Sequence, residues 1–139
     1  MGFKLFKQKK SPGIKNLVFS KAHNIPEVNF NMNGVLELKG RLIPEDANSF
    51  FEGLIEWVKE LKSEKVQFIA KLEYINSTSS QNLLLLFKEI ENNSFAKEIF
   101  IDWYFESDDP ESKELGELMA SNLNKCVFRL IDCEDLDEL

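Results

Sequence analysis

Residues 65–75 alternate between apolar and mixed side chains along their whole length. Successive side chains of a β-strand point to opposite sides, so the segment predicts a strand whose apolar face is formed by Val66, Phe68, Ala70, Leu72 and Tyr74. Asn76 and four hydroxyl residues, 77–80, follow it, and a leucine-rich helical pattern at about 79–92 follows without a break. A strand that passes directly into a helix is typical of α/β folds, in which parallel strands are joined by helical crossovers.

The rest of the chain continues this alternation of elements. We predict strands at 28–31, 35–39, 98–106 and 126–132, and helices at 46–62 and 110–122. Asn33-Gly34 predicts a hairpin turn between the first two strands, because both residues tolerate positive φ. The predicted order is β-β-α-β-α-β-α-β. Each later strand has one apolar and one mixed face, so the prediction is a two-layer domain with a mixed sheet and helices on one face.

Length and composition predict one compact domain. The chain has 139 residues, 43% of them hydrophobic, and 12 phenylalanines, which argues against disorder. We place the domain at 22–139 and separate residues 1–21 as a basic N-terminal arm. The arm interleaves lysines with Phe3, Leu5 and Phe6. That pattern suits either a weak contact with a membrane surface or partner, or a solvated tail.

Charge and cysteine usage restrict the class of partner and the compartment. The net charge of −7 disfavours a nucleic-acid partner. No run of about 18 apolar residues is present, so no transmembrane segment is expected. Cys126 and Cys133 lack the spacing of a metal site, which predicts reduced thiols and a cytoplasmic protein.

The residues that carry enzyme chemistry are sparse. His23 is the only histidine, and its surroundings give no catalytic pattern. Asp108, Asp109 and Glu111 form an acidic cluster without the spacing of a calcium loop, which suits a helix N-terminus better. The sequence therefore predicts no enzyme, no metal and no cofactor. Tyr104 and Phe100 fall on the mixed face of the strand at 98–106, where exposed aromatic side chains would suit a protein–protein contact.

The hydroxyl residues after Asn76 have two interpretations. Ser77, Thr78 or Ser79 can cap the helix and stabilise it by about 1 kcal/mol. One of the hydroxyls can instead accept a phosphate. The added negative charge is tolerated at a helix N-terminus, so the fold would survive while the surface changed sign.

Three motifs in order resemble the SiaC family of bacterial regulatory phosphoproteins. They are Gly-Arg-Leu-Ile-Pro-Glu-Asp-Ala at 40–47 followed by Phe50-Phe51, Leu-Glu-Tyr-Ile-Asn-Ser-Thr-Ser-Ser at 72–80, and Trp-Tyr-Phe-Glu-Ser-Asp-Asp at 103–109. The resemblance covers about 22–132. It implies a fold like that of STAS-type anti-sigma factor antagonists, in agreement with the predicted order of elements.

The resemblance also implies a partner switch. A cognate kinase similar to anti-sigma-factor kinases would phosphorylate a hydroxyl in the 74–80 segment, and a PP2C-type phosphatase would reverse the modification. The unmodified form would bind and activate a diguanylate cyclase, which links the switch to cyclic-di-GMP and biofilm behaviour. The alternative is a STAS-like interaction module that binds a sensor or an anti-sigma-type partner without phosphorylation.

The site residues follow from this resemblance. The family's acceptor directly follows the asparagine, which favours Ser77, and it is usually threonine, which favours Thr78. We predict Ser77 with Thr78 as the alternative. The predicted partner interface comprises Tyr74, Asn76, Ser79, Ser80 and Tyr104.

Overall fold

Within the part of the chain that the structure describes, six strands form one mixed sheet, and three helices connect its parallel part. The computed structural model describes residues 14–139, so residues 1–13 of the predicted arm lie outside the described residues. The strands are β1 (Leu17–Phe19), β2 (Glu27–Phe30), β3 (Val35–Leu42), β4 (Lys65–Ile75), β5 (Glu98–Glu106) and β6 (Val127–Cys133). The helices are α1 (Ala47–Lys59), α2 (Ser77–Glu91) and α3 (Pro110–Ser121), and a 3-10 turn follows at Leu136–Glu138.

The strands lie in the sheet in the order in which they occur in the chain. β1, β2 and β3 pair antiparallel, and β3 to β6 pair parallel. One helix connects each parallel strand to the next. The predicted α/β class and mixed sheet are confirmed. The hairpin is also confirmed, although Gly34 (φ 101°) has positive φ and Asn33 does not.

The predicted order is wrong by one strand, because it omits β1. β1 has only three residues, and only Leu17 among them is partly buried, so it leaves no alternating pattern in the sequence. It pairs with β2 through Leu17 and Phe30. The described sheet therefore begins within the segment that the sequence analysis assigned to the arm.

The helices pack on one face of the sheet. Alternate strand residues on that face are buried and join helix residues in one apolar cluster, which includes Leu38, Phe68, Ile101, Trp103, Phe51, Leu83, Phe87 and Met119. Within it, ring centroids lie 5.8 Å apart for Phe30 and Phe68 and 5.0 Å apart for Phe68 and Phe87. This chain of edge-on rings holds α2 against the sheet.

The opposite side of the sheet, here called the open face, carries a polar network. Asp102, 4% exposed, accepts hydrogen bonds from Gln67 Nε2 at 2.9 Å and from Arg129 Nε at 2.6 Å. The Lys71 ammonium lies 2.9 Å from the Glu37 carboxylate. Each of these charges has a partner, which removes the large cost of an unpaired buried charge.

The residues that follow β6 in the chain fold back against the sheet. The backbone N–H of Leu136 donates to Glu106 Oε2 at 3.0 Å, and Lys39 Nζ donates to the carbonyl oxygen of Leu139 at 2.6 Å. Leu136 is only 5% exposed, yet it lies outside the main apolar cluster. Among residues 14–139, no helix is long and apolar enough to cross a bilayer.

Candidate functional site

The C-terminal end of β4 presents an exposed aromatic side chain. Tyr74 has a left-handed backbone (φ 48°) and is 63% exposed, although its place in the alternation assigned it to the apolar face. The pairing of β3 with β4 shifts register between Arg41 and Leu42, so Leu42 pairs with Ile75 and Tyr74 has no partner. Since a bulge locally redirects side chains, Tyr74 is turned out of the core.

A guanidinium group covers the Tyr74 ring. Arg41 Cζ lies 4.4 Å from the ring centroid, which is a cation–π contact. Arg41 Nε also donates to Asn24 Oδ1 at 3.2 Å. Arg41 belongs to the first motif that carried the family resemblance, but nothing in the sequence indicated that it meets Tyr74.

Asn76 caps α2, and the hydroxyl residues do not. Its backbone is extended (φ −87°, ψ 172°), and its Oδ1 accepts a hydrogen bond from the Ser79 N–H at 2.9 Å. The helix therefore begins at Ser77, two residues before the predicted start. The signal was present in the sequence, because asparagine is among the strongest N-cap residues.

The four hydroxyl residues have different environments. Ser77 and Thr78 are exposed, and their hydroxyls make no hydrogen bond with any group of residues 14–139. Ser80 is half-buried, and its Oγ donates to the Ser77 carbonyl at 2.9 Å. Ser79 is fully buried, and its Oγ lacks a partner within the described residues. Only Ser77 and Thr78 thus combine an exposed position with an unbonded hydroxyl.

The first turn of α2 is electrostatically suited to a phosphate. It contains no acidic side chain, and the N-terminal N–H groups of a helix carry a partial positive charge. A phosphate on Ser77 or Thr78 would bring close to two negative charges at pH 7 to this helix end. The arrangement can therefore accept a phosphoryl group without opposing the helix dipole.

The predicted interface residues do not all lie together. Tyr74 and Asn76 are exposed next to Ser77 and Thr78, whereas the buried Ser79 is not presented to a partner. Tyr104 is half-buried on the open face and pairs in register with Lys71, near the middle of β4, and the Lys71 ammonium lies 5.5 Å from its ring. Tyr104 is therefore level with a strand residue that precedes Ser77 by six positions.

Asn76→Ala is expected to lower the free energy of unfolding by about 1 kcal/mol, because the Ser79 N–H loses its acceptor. Asn76→Asp keeps an acceptor oxygen and should retain nearly all of the stability. Thr78→Ala removes an unbonded hydroxyl and is the matched control, with a change within about 0.5 kcal/mol. Urea denaturation followed by circular dichroism measures all three, and an equal loss in Asn76→Ala and Thr78→Ala would contradict the assignment of the cap.

Glu91 anchors the other end of α2. Its Oε2 accepts hydrogen bonds from the backbone N–H groups of Asn124, Lys125 and Cys126 at 2.7, 2.5 and 3.2 Å. Burial raises the pKa of the Glu91 carboxyl, and the hydrogen bonds from these N–H groups lower it. The hydrogen bonds together have the larger effect, so the pKa lies below its ordinary value. The side chain fixes the connection between α3 and β6, and the sequence analysis missed it because these contacts are long-range.

Glu91→Gln is expected to cost about 1–2 kcal/mol of unfolding free energy at pH 7, because the charge-assisted part of three hydrogen bonds is lost. A depressed pKa stabilises the fold above the ordinary glutamate value of 4.5 and ceases to do so as the pH falls through the folded-state pKa. The difference between wild type and variant should therefore shrink below pH 4.5. Glu89→Gln on the same helix is the control, and a gap that is constant between pH 7 and pH 3 would contradict this role.

A comparison of the sequence with models of protein families gives one match. The family model described as "SiaC family regulatory phosphoprotein" matches residues 19–133. Among curated proteins, none matches the sequence.

No group of three His, Cys, Asp or Glu side chains within residues 14–139 is arranged to hold a metal ion.

Solved structures with the same fold come from Pseudomonas aeruginosa. SiaC has a TM-score of 0.72 at 18% identity, with 86% of this chain and 100% of that chain covered. A crystal structure of the diguanylate cyclase SiaD in complex with its activator SiaC gives 0.73 at 17% identity, with 84% and 99% covered. Apo-SiaC gives 0.66 at 20% identity, with 86% and 98% covered. At these identities the likeness establishes the fold.

Proposed function

Because this chain belongs to the SiaC family of regulatory phosphoproteins, we propose that it is a non-enzymatic cytoplasmic switch that changes partners when Ser77 is phosphorylated. One observation carries the proposal. Ser77 and Thr78 are exposed at a helix N-terminus that Asn76 already caps, and their hydroxyls form no hydrogen bond within residues 14–139. Their hydroxyls are therefore not needed for the fold, and modification leaves the cap in place.

Position favours Ser77 over Thr78 as the acceptor. Ser77 directly follows Asn76, as the family's acceptor does, and it is the first residue of α2. The Thr78 carbonyl accepts a hydrogen bond from Asn82 Nδ2 at 2.9 Å, and the same amide donates to Asn48 Oδ1 of α1 at 3.0 Å. The Ser77 carbonyl likewise accepts a hydrogen bond from Ser80 Oγ at 2.9 Å, so the choice of Ser77 rests on its position after Asn76.

The proposed pathway has three partners. A kinase similar to anti-sigma-factor kinases adds the phosphate, a PP2C-type phosphatase removes it, and the unmodified chain binds and activates a diguanylate cyclase. The cyclase is supported by the similar structure in which SiaC is the activator of SiaD. The α/β fold with a mixed sheet is similar to that of the solved SiaC structure.

The partner surface that we propose is centred on Tyr74, Asn76, Ser77 and the half-buried Ser80. Tyr74 supplies exposed aromatic area, which is typical of the residues that dominate protein interfaces. A phosphate at Ser77 places charge beside that aromatic surface. A partner that buries Tyr74 would have to desolvate the phosphate, so its affinity should fall.

The test is binding to the diguanylate cyclase of the same organism by isothermal titration calorimetry, with cyclic-di-GMP production as the second readout. Ser77→Asp should weaken binding at least about tenfold, a loss of about 1.4 kcal/mol, and reduce activation in parallel. Ser77→Ala should bind like wild type. Equal binding of all three proteins would favour the alternative, an interaction module that works without phosphorylation.

A further inference from the structure

Arg41 is an exposed cation that forms no ion pair with a carboxylate of residues 14–139. Within residues 14–139, the ion pairs are Lys59 with Glu56, Lys71 with Glu37 and Arg129 with Asp102. The Arg41 guanidinium instead contacts the Tyr74 ring and the Asn24 side-chain oxygen, both uncharged. Glu73 pairs with Arg41 in register on the neighbouring strand, but its carboxylate forms no ion pair with the guanidinium.

The strand register places this cation near the end of β4, where Arg41 pairs with Glu73. Leu42, which follows Arg41, pairs with Ile75, and Ser77 follows only two residues later. The Cα atoms of Tyr74 and Ser77 are at most about 11 Å apart, since three peptide units span no more. The guanidinium already covers the ring of Tyr74, which precedes Ser77 by three residues in the chain.

We propose that Arg41 binds the phosphate on Ser77 and leaves the Tyr74 ring to do so. The inference rests on the proposed function, since it needs a phosphate at that position. A phosphate dianion offers a guanidinium two parallel hydrogen bonds and a full opposite charge, whereas a ring face offers only a quadrupole. Arg41 therefore exchanges the weaker contact for the stronger one.

The exchange changes the surface that a partner meets. In the unmodified chain the face of Tyr74 is covered by Arg41 and the Ser77 hydroxyl is free. In the phosphorylated chain the ring is uncovered and the guanidinium lies on the phosphate. One modification thus alters both the charge at Ser77 and the environment of Tyr74.

The test uses full-length protein in which phosphoserine is installed at position 77 during translation, so that no kinase is needed. Phosphorus NMR gives the second pKa of the phosphate, which is near 6 without a partner. A neighbouring cation favours the dianion and lowers this pKa. We expect the pKa to be about 0.5–1 unit lower with Arg41 than in Arg41→Met, and Arg41→Lys to fall between them.

Lys39→Met is the matched control, because Lys39 lies on the same strand two residues earlier and donates to the Leu139 carbonyl. It should leave the phosphate pKa unchanged. A pKa that is equal in Arg41 and Arg41→Met proteins would overturn the inference while leaving the switch intact. Failure of the kinase to modify Ser77 in a separate incubation would overturn the proposed function but not the pairing of Arg41 with an installed phosphate.

Discussion

Gly34→Ala is expected to lower the free energy of unfolding by about 3 kcal/mol. The added Cβ would both strain the backbone at this position and overlap with neighbouring atoms. Gly34 has φ 101°, a conformation that side chains rarely adopt. A Cβ there would lie 2.1 Å from the Lys65 carbonyl oxygen and 2.6 Å from Ser63 Oγ. The Lys65 carbonyl belongs to the start of β4 and cannot move without shifting that strand.

The matched control for this change is Gly53→Ala. Gly53 is exposed in α1, and an added Cβ would have no atom within 4 Å. Since alanine is favoured over glycine inside a helix by about 1 kcal/mol, this variant should be more stable than wild type. The two variants add the same methyl group and should shift the urea midpoint in opposite directions. A shift of the same sign in both would contradict the structure of the hairpin.

Phe87→Ala is expected to cost about 3–5 kcal/mol, the range for removing a buried aromatic ring. Phe87 is fully buried on α2, with its ring centroid 5.0 Å from that of Phe68 and 6.2 Å from that of Phe128. Its loss leaves a cavity between α2 and the strands on either side of β5. Since α2 carries the proposed acceptor, the change also tests how firmly the candidate site is held.

Leu85→Ala on the same helix is the control for Phe87→Ala. Leu85 is 56% exposed, so its truncation should change stability by about 0.5 kcal/mol or less. Thermal and urea denaturation give both values. Comparable losses in the two variants would mean that α2 is not anchored through Phe87.

The periodic elements were predictable because burial imposes a period on the sequence. β4, β5 and the three helices each bury one face, so their types and approximate bounds could be inferred. β1 was not predictable, since three residues at a sheet edge with one partly buried side chain carry no period. Its place comes from pairing with β2, which is a property of the folded chain.

The candidate site was predictable in position but not in detail. The end of β4 follows from the alternation, whereas Ser77 as the acceptor stays a prediction from the resemblance. The exposure of Tyr74 comes from a register shift between β3 and β4, which no local pattern encodes. Ser79 and Tyr104 were predicted at the interface from proximity in sequence and from face alternation. Three-dimensional packing buries Ser79, and the strand register places Tyr104 level with Lys71.

The most direct test of the switch is the position of the phosphate. Wild type, Ser77→Ala and Thr78→Ala proteins are incubated with the cognate kinase and ATP, and intact mass and peptide mapping are measured. We predict one phosphate on wild type and on Thr78→Ala, located at Ser77, and none on Ser77→Ala. Phosphate on Thr78 in the wild type would overturn the choice of Ser77. Wild-type protein without any added phosphate would contradict the switch itself.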